Sequence, residues 1–232
     1  MRRSRAVLSA VALVGAGTLL LSGCGGDDTG DDRIAGEGRS TPQESADPGP
    51  EPEPEGEESA GSEVPRDDID RPEVTLPDYM NNVFEPAGTE EPAELAVITD
   101  AQHRRNAIDL AIDLADPEHE ALAFYSARDG YVSDLSYVAN AIDRGSTWSG
   151  TARFYDWQVE FDEGGDGGKA LLTYCMDESR AYDKNRDTGE VTEREPSDAD
   201  FVLLQERVER NGLGVWQNVH VTSERGAAVC RE

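Results

Sequence analysis

Two hydrophobic periods divide the chain. Between residues 101 and 143 apolar side chains recur at helical spacing, and from residue 153 onward they alternate. In AQHRRNAIDLAIDLA, Ala107, Ile108, Ala111, Ile112 and Ala115 form one stripe, with Thr99 or Asp100 placed to cap it. Asp116-Pro117 reads as the cap and first residue of a second helix. Glu118 and Glu120 stand at its positive end, and Leu122, Phe124 and Tyr125 give it an apolar side before Gly130. A third helix is predicted over about residues 131–143, with Leu135, Val138, Ala139 and Ile142, stopping at Gly145. Ahead of the helices, Tyr79, Val83 and Phe84 anchor a short segment that starts at Thr75.

From Arg153 to Phe161 the pattern sets Tyr155, Trp157, Val159 and Phe161 against mostly polar neighbours, which predicts a strand. Gly164-Gly165-Asp166-Gly167-Gly168 is a turn, and KALLTYCM, residues 169–176, returns as a second strand. A polar loop is expected over 177–199. Residues 201–210 and 213–222 then form a hairpin about Asn211-Gly212. Helices followed by an antiparallel meander predict an α+β fold, with the helices on one face of the sheet.

The residues before this unit have another character. Arg2, Arg3 and Arg5 precede an uncharged apolar run from Ala6 to Leu21, the layout of a secretory signal peptide. Leu21-Ser22-Gly23-Cys24 resembles the lipobox of bacterial lipoproteins. That resemblance implies removal of residues 1–23, acylation of Cys24 (palmitate among the acyl chains) and anchoring on the extracytoplasmic face of the cell membrane. The alternative is an ordinary secretory peptide with a chance cysteine. Residues 24–73 hold 17 acids and four arginines among Gly, Pro and Ser, and DPGPEPEPEGEESAGSE is the extreme. Such a composition predicts a disordered, extended tether. The expected organisation is therefore a signal peptide over 1–23, a lipidated cysteine and linker over 24–73, and one domain over 74–232.

Charge narrows the partners. The formal charge of -28 becomes -31 once residues 1–23 are removed. This argues against nucleic acid and against a basic lipid-binding patch. With Cys24 assigned to lipid, Cys175 and Cys230 remain. In an oxidising compartment they suggest a disulfide, and two separate buried thiols are the other reading.

YCMDES, the following loop with Thr188-Gly189, and NGLGVWQNVHVTSERG resemble a group of uncharacterised lipoproteins of high-GC Gram-positive bacteria. Their domain is similar to the nuclear transport factor 2-like fold, a cone of curved antiparallel strands wrapped on helices. The resemblance covers about residues 75–232 and rests on Tyr174, Cys175, Asp177, Ser179, Gly189, Trp216 and Cys230. It implies two function classes. One is a non-catalytic module that binds a small apolar ligand or an envelope protein. The other is an isomerase, dehydratase or cyclase acting inside the cone through an Asp/His or Tyr/Asp pair. A purely structural envelope lipoprotein is a separate, third reading.

Tyr155, Trp157, Tyr174, Asp177, Phe201 and Trp216 are the candidate pocket residues, although aromatics at strand spacing also serve as plain core. No catalytic set is assigned. His103 and His119 lie among charges at helix starts. His220 shares a face with Trp216 and Asn218, opposite the better core face of Val215, Val219 and Val221. Asp177 and Ser179 read as turn chemistry. The loop Asp183–Gly189 resembles half an EF-hand, but Thr188 stands where glycine belongs and Arg194 where glutamate belongs. No metal or cofactor is expected.

Overall fold

A computed structural model describes residues 68–162 and 167–231. The expected signal segment, Cys24, the linker as far as residue 67 and residues 163–166 of the glycine turn lie outside the described residues. The described chain is α+β. Three helices, α1 (Pro92–Leu114), α2 (Glu120–Tyr125) and α3 (Arg128–Asp143), follow a short strand β1 (Met80–Phe84). After them come β2 (Ser146–Phe161), β3 (Lys169–Asn185), β4 (Val191–Thr192), β5 (Phe201–Arg210) and β6 (Trp216–Arg225). The sheet order is β1-β2-β3-β5-β6, with β4 paired to β3. The meander is antiparallel as expected. The edge strand β1 runs parallel to β2, from Met80 beside Gly150 to Phe84 beside Phe154, so the sheet is mixed.

Several boundaries differ from the sequence expectation for local reasons. Helix α1 begins at Pro92, because Val97 and Ile98 extend its apolar stripe and proline suits the first helical position. Thr99 and Asp100 therefore fall inside the helix. Asp100 accepts from the backbone amide of Trp216 at 2.7 Å and from Arg71 at 2.6 Å. That bond, with Ile69 packed beside Val215, brings the folded unit back ahead of residue 74. Helix α2 starts after His119, whose Nδ1 accepts from the Ala121 amide. Gly130 does not end a helix but lies in the first turn of α3. A Cβ there would sit 2.3 Å from the carbonyl oxygen of Asn218, so glycine lets α3 close onto β6.

The sheet is bent by irregularities that alternation alone does not reveal. Asp156 takes a left-handed conformation with φ 55°, and the β2–β3 register shifts between Tyr155 and Gln158. A bulge of this kind inserts one residue and reverses the faces. Phe154 and Trp157 consequently both point to the helices, while Tyr155 points to the opposite face. Strand β3 runs on to Asn185, so the first half of the expected 177–199 loop is strand. In the β5–β6 hairpin Arg210 pairs with Trp216, which makes the connection five residues, 211–215. The positive φ, 92°, falls on Gly214 rather than Gly212. Asn211 Oδ1 accepts from the amides of Leu213 and Val215, so the side chain organises this longer turn.

Val97, Ile98 and Ala101 of α1 pack on Phe154, Trp157, Leu172, Tyr174, Val202, Leu204 and Trp216 of the sheet. The opposite sheet face carries Tyr155, Cys175, Phe201 and Leu203, covered by Ala227 and Cys230 of the C-terminal segment. Cys175 and Cys230 form a disulfide there, with Cα atoms 5.5 Å apart. The reading as two separate thiols falls. Among the described residues no helix is long and apolar enough to cross a membrane.

Candidate ligand-binding cleft

Two consecutive arginines of α1 enter the space between helices and sheet, and their surroundings differ sharply. Arg104 is 3% exposed. Its Nε donates to Asp134 and Ser126, each at 3.0 Å, its Nη2 to Asp134 at 2.5 Å and its Nη1 to Glu206 at 2.7 Å. Tyr174 completes the group by donating to Glu206 at 2.5 Å. Burial works against the charge of Arg104, but Glu206 and Asp134 outweigh it and its pKa is raised. Burial, reinforced by Glu206, lifts the Tyr174 hydroxyl well above its ordinary value, so it stays a donor. This network joins α1, α3, β3 and β5 within the core. Its role is to bind the layers together.

Arg105 lines a half-open cleft of about 290 Å³ bounded by α1, α3, β2 and β3. Ile112, Ala141, Trp148 and Met176 form apolar walls, and Tyr137, 47% exposed, stands at the mouth. Asp109, one helical turn beyond Arg105 and 4% exposed, also lines it. Asp109 accepts from Asn82 at 2.7 Å and from the Trp148 indole at 3.2 Å. Burial raises its pKa from the ordinary 3.8, against the lowering influence of Arg105, Asn82 and Trp148.

A carboxyl raised in this way favours the folded state most when it is protonated. Its contribution is complete below about pH 3.8 and is lost as pH rises through the folded value. The difference in thermal midpoint between the natural chain and Asp109→Asn should therefore fall as pH rises through that window. A difference that grows with pH would contradict the assignment.

The six pocket candidates do not come together in this cleft. Trp157, Tyr174 and Trp216 are core side chains facing the helices. Tyr155 and Phe201 belong to the opposite face, beside the disulfide. Asp177 lies across from Phe201 and Arg153 in the ladder. It pairs with Arg153 at 3.4 Å and accepts from the Ser179 amide at 2.9 Å, the local bond expected for this pair, although both residues lie within strand β3 and not in a turn. The bulge at Asp156 is what separates Tyr155 from Trp157.

His103 stacks on Tyr125 with ring centroids 5.6 Å apart, His119 caps α2, and His220 is exposed. The core face of β6 begins with Trp216 and Asn218, the reverse of the face expected from the valines. A register shift between Arg207 and Val208 then turns Val221 inward and His220 outward. In the loop from Asp183 to Gly189, Asn185 Oδ1 accepts from the amides of Asp187 and Thr188. Arg186 donates to the carbonyls of Ile112 and Asp113 at the C-terminus of α1. Among the described residues no group of three His, Cys, Asp or Glu side chains is placed to hold a metal.

Helices first, then long bent strands in a meander, is the expected architecture. The described residues form an α+β fold of three helices on a mixed, largely antiparallel sheet. No family model and no curated protein matches the chain. Among solved structures it is similar to Aln2 from a Streptomyces species, at 17% identity and a TM-score of 0.39, over 58% of this chain and 93% of that one. It is similar to a ketosteroid isomerase-like protein from Erwinia carotovora atroseptica, at 16% identity and a TM-score of 0.33, over 56% and 93% of the two chains. A third is the intermembrane space region of the chloroplast protein ARC6, at 14% identity and a TM-score of 0.36, over 56% and 96%. At these values the likenesses carry no argument about activity.

Proposed function

We propose that the chain is a membrane-anchored binding module whose cleft between α1, α3 and the sheet takes a small ligand. The observation that supports this is the cleft itself, about 290 Å³ of space walled by Trp148, Ile112 and Met176 with Arg105 and Asp109 at its base. Ligand sites combine apolar walls with a few convergent polar groups in this way, and the volume suits a small ligand. The enzymatic reading draws on the raised pKa of Asp109, since perturbed carboxyls gather at reactive sites. Binding is favoured because both Asp109 oxygens already accept hydrogen bonds from Asn82 and Trp148. A screen of small molecules against the full chain by proton–nitrogen correlation NMR tests the reading. Bound compounds should move the indole resonance of Trp148 and leave those of Trp157 and Trp216, which sit in the core, nearly unchanged. Compounds that bind without disturbing Trp148 would overturn it.

The anchoring half of the proposal draws on Leu21-Ser22-Gly23-Cys24, with cleavage before Cys24 and the acidic residues 25–73 spacing the domain from the membrane. Cys24→Ser should abolish acylation and move most of the exported protein from the membrane to the soluble fraction. Equal membrane retention of both forms, with no lipid mass on the natural chain, would remove the anchor.

A further inference from the structure

Arg105 is only 8% exposed, yet it makes no ion pair among the described residues. Its Nε has no hydrogen-bond partner, and its Nη2 meets only the Met176 sulfur, at 3.9 Å. The Phe154 ring lies beneath the guanidinium, 5.5 Å from its carbon to the ring centroid. A thioether and a ring face are weak substitutes for the water that such a group loses on burial. Arg104, the preceding residue and equally enclosed, has its donors taken up by Asp134, Ser126 and Glu206. The contrast lies in what each arginine faces. Arg104 faces protein acceptors, whereas Arg105 faces the cleft.

The carboxylate nearest along the helix, Asp109, supports the charge of Arg105 through space but takes none of its donors. Asp109 is engaged with Asn82 and Trp148. The charge of the lining points the same way. On a chain of formal charge -28, four arginines meet three acids around this cleft. Two of those arginines are already committed, Arg194 to Asp200 at 2.5 Å and Arg225 to Glu178 at 2.6 Å. Arg144, exposed at the rim, forms no ion pair among the described residues. A guanidinium with unused donors at the base, a second one at the rim and apolar walls between them match an amphiphilic anion.

We propose that the cleft binds a small organic carboxylate, its carboxylate on Arg105 and its apolar body against Trp148 and Ile112. This rests on the reading of the cleft as the ligand site and adds the chemical class of the ligand. Arginine presents its donors as a planar fork that matches a carboxylate with two parallel bonds, and such charge-assisted bonds are the strong ones.

The test uses the full chain and three probes of one shape: octanoate, octanamide and octylamine. Each is titrated while the Trp148 indole resonance is followed. Octanoate should bind at least about tenfold more tightly than octanamide, as expected for a hydrogen bond to a charged group, and octylamine should be the weakest. Arg105→Gln should bring octanoate down to the level of octanamide. The probe series on the natural chain gives the answer even if that variant folds poorly. Equal affinity of octanoate and octanamide, with Trp148 responding to both, would overturn the carboxylate assignment and leave the cleft as a ligand site. No response of Trp148 to any of the three would overturn both.

Discussion

Arg104→Met should unfold the domain at markedly lower urea concentration, with a loss of about 3–5 kcal/mol. The reason is what the substitution leaves behind. Glu206 is 0% exposed and Asp134 is buried, and both depend on the Arg104 guanidinium, at 2.7 and 2.5 Å. Removing the cation strands two carboxylates in the interior, which costs more than the ion pairs contribute net to the fold. A domain of this size shifts its thermal midpoint by about 2–4 °C per kcal/mol, so the fall should be on the order of 6–20 °C. The triple change Arg104→Met, Asp134→Leu and Glu206→Leu removes all three charges together and should recover most of the loss. A single variant within about 1 kcal/mol of the natural chain would show that the network does not bind the layers, since that is the range of an exposed pair.

Breaking the Cys175–Cys230 bond should cost a similar amount. The bond spans 55 residues of sequence, and restricting a loop of that size in the unfolded chain is worth roughly 4 kcal/mol. The folded state loses contacts as well. Cys230 and Ala227 cover Tyr155, Phe201 and Leu203, and the Tyr155 hydroxyl donates to the Cys230 carbonyl. Cys230→Ser should lower the urea midpoint and raise amide exchange at residues 226–231. Non-reducing peptide mapping of the natural chain should give one linked pair. Two freely alkylated thiols, or an unchanged midpoint on reduction, would contradict this.

What the sequence made legible follows from what its patterns encode. The change from helical to alternating spacing near residue 150 announced helices followed by a meander, and two spare cysteines suggested a disulfide beside the reading as separate thiols. Alternation in β2 misled because it cannot register an inserted residue. Asp156 at φ 55° reverses the faces, so Tyr155 and Trp157 part although their spacing suggests one side. The valines of β6 misled in the same way, because Trp216 and Asn218, the latter polar and 1% exposed, face inward before the register shift and Val221 only after it.

The cleft was missed for a further reason. Its base is Arg105 and Asp109, whose charges suggest a solvated helix face. A signal was nonetheless present. In the series Arg105, Asp109 and Asp113, four residues apart along one side of α1, the two aspartates are each flanked by apolar residues, Ile108 and Leu110, then Ile112 and Leu114. Asp113 accepts from Tyr79 and Thr147, so the whole stripe faces the β1–β2 side of the sheet.

Calorimetric titration of the full chain with 1-anilinonaphthalene-8-sulfonate, an aromatic anion, tests most directly whether the cleft takes a ligand. The natural chain is compared with Ala181→Phe. Ala181 lines the cleft at a half-buried position of β3, so a phenyl ring there fills the space without entering the core. The cleft predicts one saturable site in the natural chain and its loss in Ala181→Phe. Equal binding by both proteins, or none by either, would contradict it.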